Sequence, residues 1–200
     1  MFGLTQEEEY LFKKLSSPAR IQDFLDTLPI NKERNGDTCS SPRKALRRGT
    51  IHCIEGAFLA ASILWYHGEK PLLLDLKSSA HDFDHVVALF KKNGLWGAIS
   101  KTNHAVLRYR EPVYKSVREL ALSYFHEYFT HTGEKTLRSF SKPFNLRKFG
   151  TSWITSEDEL WDIGAKLDDF PHIKIINDFS TKNLRRADKI EIQAGKLTEY

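Results

Sequence analysis

Apolar residues recur at helical spacing through the first third of the chain and in short β-rich runs through the middle. From Cys53 onward they fall at Ile54, Ala57, Phe58, Ala61, Leu64 and Trp65, the i, i+3, i+4, i+7 rhythm of a buried helix, and His67-Gly68 supplies its stop. Upstream, residues 6–15 predict a short amphipathic helix and 18–25 a second with proline in its first turn. Ser40-Ser41-Pro42 opens a third that runs to Leu46 or Arg47, after turn chemistry from Leu28-Pro29 through Asn35-Gly36-Asp37. Residues 71–76 form a nearly continuous apolar run, an interior strand entered through Pro71. Residues 85–90 and 95–100 are two further strand-like runs, and the Asn93-Gly94 between them predicts a hairpin.

That hairpin constrains which side chains share a face. A two-residue loop sets Val87 opposite Ser100 and His85 opposite Thr102; a four-residue loop sets His85 opposite Ser100. Both registers put His85, Ser100 and Thr102 on one face and Asn103 on the other. Further along, Val117, Leu120, Ala121, Tyr124 and Tyr128 stripe a helix expected over 116–129, and 136–144 reads as an extended segment and a loop. Ser156-Glu157-Asp158-Glu159 resembles a capping box that opens a helix through Trp161 and Leu167. Residues 172–176 read as a last short strand. The tail from Thr181 is polar and charged, with its end expected to be loosely held. No repeat, low-complexity tract or linker interrupts the chain, so a single domain is expected over 1–180, with its core at about 40–130 and a polar tail over 181–200.

A length of 200 residues and a hydrophobic content of 40% suffice for one well-buried domain. The net charge of +4 comes from 30 Lys and Arg against 26 Asp and Glu, scattered along the chain without a nucleic-acid module, so nucleic acid is not the expected partner. Two cysteines, Cys39 and Cys53, do not make a disulfide framework. The N-terminus lacks a basic start followed by an apolar core, and no apolar run approaches the ~20 residues that span a bilayer. The expectation is a cytoplasmic protein with no membrane segment.

Cys53 carries the candidate chemistry, because the first turn of a helix presents unpaired N–H groups and a positive dipole end that favour a thiolate. Glu55, in the same turn, opposes this slightly. A cysteine beside an apolar helix also has a plain packing reading. The other histidines build no site: His52, directly before the cysteine, only tunes its surroundings, His81-Asp82-Phe83-Asp84-His85 has metal-ligand residue types but no second cluster, and His131 falls one residue too late to share a helix face with His126. No phosphate loop and no Gly-x-Ser-x-Gly elbow is present, so neither cofactor nor metal is expected.

A thiol at a helix start, then a strand bearing histidine, then a return strand bearing a polar partner is an order that resembles the transglutaminase-like branch of the papain-like cysteine enzymes. The resemblance runs from Gly49 to Asn103, about a quarter of the chain. Cys53-Ile54-Glu55-Gly56-Ala57 matches the nucleophile block and Asp84-His85-Val86-Val87-Ala88-Leu89-Phe90 the histidine block. Gly94-Leu95-Trp96-Gly97-Ala98-Ile99-Ser100 resembles the glycine-tryptophan strand that ends in the family's acidic third residue, and Tyr109-Arg110-Glu111-Pro112 resembles bacterial members. The resemblance implies an α+β, papain-like fold with the nucleophile helix packed on a mainly antiparallel sheet and additional flanking helices. It implies a cofactor-free hydrolase or acyltransferase acting on amide bonds, peptide or isopeptide, through an acyl-enzyme, with a peptide or protein substrate. Cys53 would be the nucleophile, His85 the general base and acid, and Ser100 the group that orients the imidazole. Ser100 departs from the family's acid: a hydroxyl orients an imidazole without supplying charge, and Asp75, Asp82 and Asp84 are the carboxylates placed to substitute. Gln22 does not match the spacing of the glutamine that often completes an oxyanion site in such enzymes. The competing reading is a catalytically silent domain of the same fold that serves as a binding module.

Overall fold

The computed structural model describes residues 2–34 and 36–199, so the Asn35 turn position lies outside it. Three short helices open the chain, each started by a side-chain cap. In α1 (Gln6–Lys14) Thr5 and Glu8 form a reciprocal capping box, while Ser17 and Ser41 cap α2 (Pro18–Thr27) and α3 (Pro42–Arg48), each with proline in the first turn. The fourth helix, α4 (Cys53–Tyr66), is apolar on every side, and every residue from Glu55 to Leu64 is buried. It is the axis on which the other elements pack.

Seven strands follow: β1 (Leu72–Lys77), β2 (His85–Lys92), β3 (Leu95–Ser100), β4 (Arg110–Tyr114), β5 (Ser139–Ser141), β6 (Phe144–Asn145) and β7 (His172–Lys174). Their order is β4-β3-β2-β1-β5-β7, with β6 also paired to β1, and every pairing is antiparallel. Both faces are covered. Leu73, Val86, Ala88, Phe90 and Ile99 pack under α4, while Leu74, Leu76, Val87, Leu89 and Ala98 pack against Tyr124, Tyr128 and α5 (Val117–Ser123). This two-sided burial explains why β1 and β2 read as nearly continuous apolar runs. The fold class is α+β with an open antiparallel sheet.

The β2–β3 hairpin takes the two-residue register, with Lys92 opposite Leu95 and Val87 opposite Ser100. Asn93 and Gly94 have φ of 52° and 83°, the left-handed pair that such a turn requires. Elsewhere the elements depart from expectation. The helix anticipated over 116–129 stops at Ser123. Beyond it the aromatic residues anchor to strands and loops instead: Tyr124 donates to Arg108 O at 3.2 Å and Tyr128 donates to Phe83 O. The capping box at Ser156 does not form, because Glu159 pairs with Lys44 and accepts from Cys39 N at 2.7 Å. The following helix, α6 (Trp161–Asp168), starts later. The tail carries α7 (Asp178–Thr181) and α8 (Lys189–Gly195), and its end pairs with the loop after β3: Ala105 N donates to Leu197 O at 3.1 Å and Glu199 N to Asn103 O at 2.8 Å. Among the described residues, no helix is long and apolar enough to cross a membrane.

Candidate functional site

The site is built on the start of α4. Gly49, at φ 74°, ends α3 in the left-handed region, Ile51 bridges to Ile30, and His52 takes the cap position, so Cys53 is the first helical residue. Its thiol, partly accessible, is hydrogen-bonded by the side chains of both His52 and His85. Burial pushes the thiol pKa up, but the bonds to His52 and His85 and their charge outweigh it and bring the thiol down to about 5.

His85 opens β2 and is buried. Its Nε2 lies 2.8 Å from Ser100 Oγ, which itself donates to Leu107 O at 2.5 Å. A hydroxyl has one proton, and Leu107 takes it, so Ser100 accepts from His85 Nε2–H. That fixes the tautomer and leaves Nδ1 as the ring nitrogen free for the thiol. Ser100 is held in turn by Gln22, whose Oε1 accepts from Ser100 N at 2.9 Å and whose Nε2 donates to Ser100 O at 2.8 Å. Gln22 is therefore engaged with the backbone of β3 and is no oxyanion donor. The structure thus brings Cys53, His85 and Ser100 together.

No carboxylate takes the place of the acid absent at Ser100. Asp75 contacts His172 at 3.0 Å, Asp82 accepts from Thr136 at 2.5 Å, and Asp84 accepts from Ser78 N at 2.7 Å. The charged partner lies on the other side of the thiol. His52 Nε2 donates to Thr38 O at 2.8 Å, with the carboxylates of Glu33 and Glu55 at 3.4 and 3.6 Å. Burial disfavours the imidazolium, yet the hydrogen bond with Cys53, its charge and that of Glu55 raise His52 to about 9. Glu55, fully buried, accepts from Thr38 Oγ1 at 2.9 Å, Ser40 N at 3.1 Å and His52 N at 3.2 Å, and pairs with Arg48 at 2.5 Å. Burial raises its pKa, and the Arg48 bond and the His52 charge more than reverse this. Charges alternate from Arg48 through Glu55 and His52 to the Cys53 thiolate. Glu55 therefore supports the thiolate through His52 rather than opposing it. A histidine directly before the cysteine, with glutamate three residues later at a helix start, is the sequence signal for this arrangement.

A cleft of about 850 Å³ opens over Cys53, His52 and His85. Phe83, 90% exposed, stands on its rim, while Leu107, Tyr128 and Ile192 form part of its walls. Lys101 borders the cleft but turns its ammonium inward to Leu25 O at 2.9 Å and Leu28 O at 2.5 Å. Cys39 is buried, and desolvation pushes its thiol up to about 12. Among the described residues, the grouping of three candidate metal ligands with donor atoms mutually within 4.8 Å does not include Cys53, His52 or His85 but consists of Asp75, Asp84 and Asp168. No protein-family model matches the chain, and no curated protein matches it.

Proposed function

We propose that the protein is a cofactor-free thiol hydrolase or acyltransferase of the transglutaminase-like, papain-like type, acting on amide bonds of a peptide or protein substrate. One observation carries this reading: a thiol brought down to about 5 at a helix start, hydrogen-bonded to His85, in an open cleft. The order of nucleophile helix, histidine strand and return strand supports the family assignment. Cys53 sulfur attacks the carbonyl carbon, and the negative charge that develops on the carbonyl oxygen faces the α4 N-terminus, where Cys53 N–H is one donor. His85 Nδ1 takes the proton that the Cys53 thiol gives up; as the intermediate collapses, the C–N bond breaks, that proton passes from Nδ1 to the leaving amine, and the acyl group remains as a thioester. His85 then takes a proton from the incoming water or amine, which releases the acyl group and restores the thiolate. Ser100 keeps the imidazole in the tautomer that these transfers need, and His52 adds a second positive charge beside the thiolate.

The serine at position 100 favours a second reading, a binding module that keeps the fold without turnover. Iodoacetamide labelling followed by mass spectrometry separates the two. Catalysis requires Cys53 to label well below the pH of a free thiol, with the rate reduced in His85→Ala and Cys39 silent. An ordinary pH dependence at Cys53, unchanged in His85→Ala, would favour the binding module.

A further inference from the structure

Asp75 of β1, Asp84 immediately before β2 and Asp168 at the end of α6 each bring a carboxylate oxygen to within 4.8 Å of the others, and Asp84 also lines the thiol cleft. Three carboxylates from three separate elements repel one another, and a cation or a proton held among them relieves that repulsion. The protein's own donors fall on one oxygen of each. Lys77 Nζ holds Asp168 Oδ1 at 2.6 Å, Ser78 N holds Asp84 Oδ1 at 2.7 Å, and His172 Nε2 holds Asp75 Oδ2 at 3.0 Å, with the far side of the His172 ring anchored on Phe170 O. These contacts orient the carboxylates in the way that outer partners orient metal ligands.

What they leave is informative. Asp75 is 3% exposed, and its Oδ1 is buried with no hydrogen-bond partner among the described residues. An unpartnered carboxylate oxygen in a buried setting is costly, and a bound cation removes that cost. Asp84 and Asp168 are exposed, which leaves room for water to complete a coordination shell. Three carboxylates with room for water suit Ca²⁺, which takes about six to eight oxygen ligands, better than Mg²⁺, which usually binds through only one or two carboxylates and keeps several waters.

We infer that Asp75, Asp84 and Asp168 form a binding site for a hard divalent cation, with Ca²⁺ favoured over Mg²⁺. The three ligands are not the groups that carry the thiol chemistry, although Asp84 also lines the cleft. A bound ion ties β1 to α6 and to the residue that precedes His85, and so fastens the start of the strand that carries the histidine.

Calorimetric titration of the full chain with CaCl₂ and with MgCl₂, alongside thermal unfolding at each concentration, tests this. The expected result is one Ca²⁺ per chain, a melting temperature that rises with Ca²⁺, and weaker Mg²⁺ binding. Asp84→Asn and Asp168→Asn, both at exposed positions, should each weaken Ca²⁺ at least about tenfold, as first ligands commonly do. Lys77→Gln, which removes the competing ammonium, should tighten it. Asp75→Asn should abolish binding, and if that variant fails to fold the two exposed variants decide the matter alone. Absence of binding at millimolar Ca²⁺, or binding unaltered in Asp84→Asn and Asp168→Asn, would overturn the site.

Discussion

His52 caps the helix that Cys53 begins, and the two side chains are hydrogen-bonded across that junction. The adjacency gives the thiolate a cationic partner whose own counter-charge, Glu55, is three residues along the same turn. Two imidazoles, His52 and His85, therefore act on the one thiol.

Removing His52 should therefore change the thiol's ionisation. In His52→Gln the midpoint of Cys53 labelling rises from about 5 by one pH unit or more, each unit corresponding to about 1.4 kcal/mol. His85→Ala should raise it too, since both bonds lower the thiol. Only His85→Ala should also abolish turnover of an amide substrate, because it removes the proton carrier. Labelling rates against pH for both variants make the comparison, and an unmoved midpoint in His52→Gln would remove its assigned role.

The same pair makes stability depend on pH in two directions. Cys53, brought down to about 5, contributes stability that is complete above the free-thiol range and is lost as pH falls toward 5. His52, raised to about 9 from 6.5, contributes stability that is complete below 6.5 and is lost as pH rises through 9. The melting-temperature difference between the native chain and Cys53→Ala should peak between these limits and shrink on either side. Thermal scans across that range read it directly.

Placing an aspartate at position 100 should fail. Ser100 donates to Leu107 O while it accepts from His85, and an ionised aspartate can only accept. Ser100→Asp sets carboxylate against carbonyl and leaves Leu107 O unpartnered, at a cost of about 1–3 kcal/mol. Ser100→Ala loses both bonds and should slow Cys53 labelling while retaining more stability than Ser100→Asp. Urea unfolding ranks the three chains, and a Ser100→Asp chain as stable as the native one would contradict the donor assignment.

Gly56 sits on α4 three residues after Cys53, and a Cβ added there would come within 2.6 Å of Lys101 Cβ. That neighbour is the rigid base of a side chain whose ammonium is fixed on Leu25 O and Leu28 O. Gly56→Ala should therefore push the end of β3 away from the nucleophile helix, at a cost of about 1–3 kcal/mol. Denaturant unfolding measures the loss, and slower Cys53 labelling would report the displacement of Ser100 and His85.

The local elements were legible where one signal dominated. Proline and serine at Pro18, Ser41 and Pro42 mark the helix starts, and Asn93-Gly94 sets a hairpin register that puts Ser100 opposite Val87, diagonal to His85 and within its reach. Residues 124–129 misled because their aromatic spacing fits a helix stripe, although Tyr124 and Tyr128 are aromatic side chains of modest helix propensity that find better partners on the sheet. Glu159 misled because a capping glutamate and an ion-pairing one look alike in sequence, and its partner Lys44 lies far upstream. In the site, Cys53, His85 and Ser100 could be read from order and spacing. His52 could be read only as tuning the surroundings of Cys53, because its larger part comes from buried Glu55 and the pairing of Glu55 with Arg48, which are tertiary facts. Asp75, Asp84 and Asp168 were not legible as a group, since strand pairing and the return of α6 bring them together.

Gln22 lies on α2, outside the 40–130 span that the sequence suggests as the core, yet both ends of its amide grip the backbone of Ser100. Lys101 is likewise anchored on carbonyls of α2 and the residue that ends it. The leading helices are thus part of the device that positions the third site residue. A chain shortened to begin at Thr38 would keep every side chain that touches the thiol, and would still surrender the alignment of His85. The smallest piece able to act alone must begin before α2.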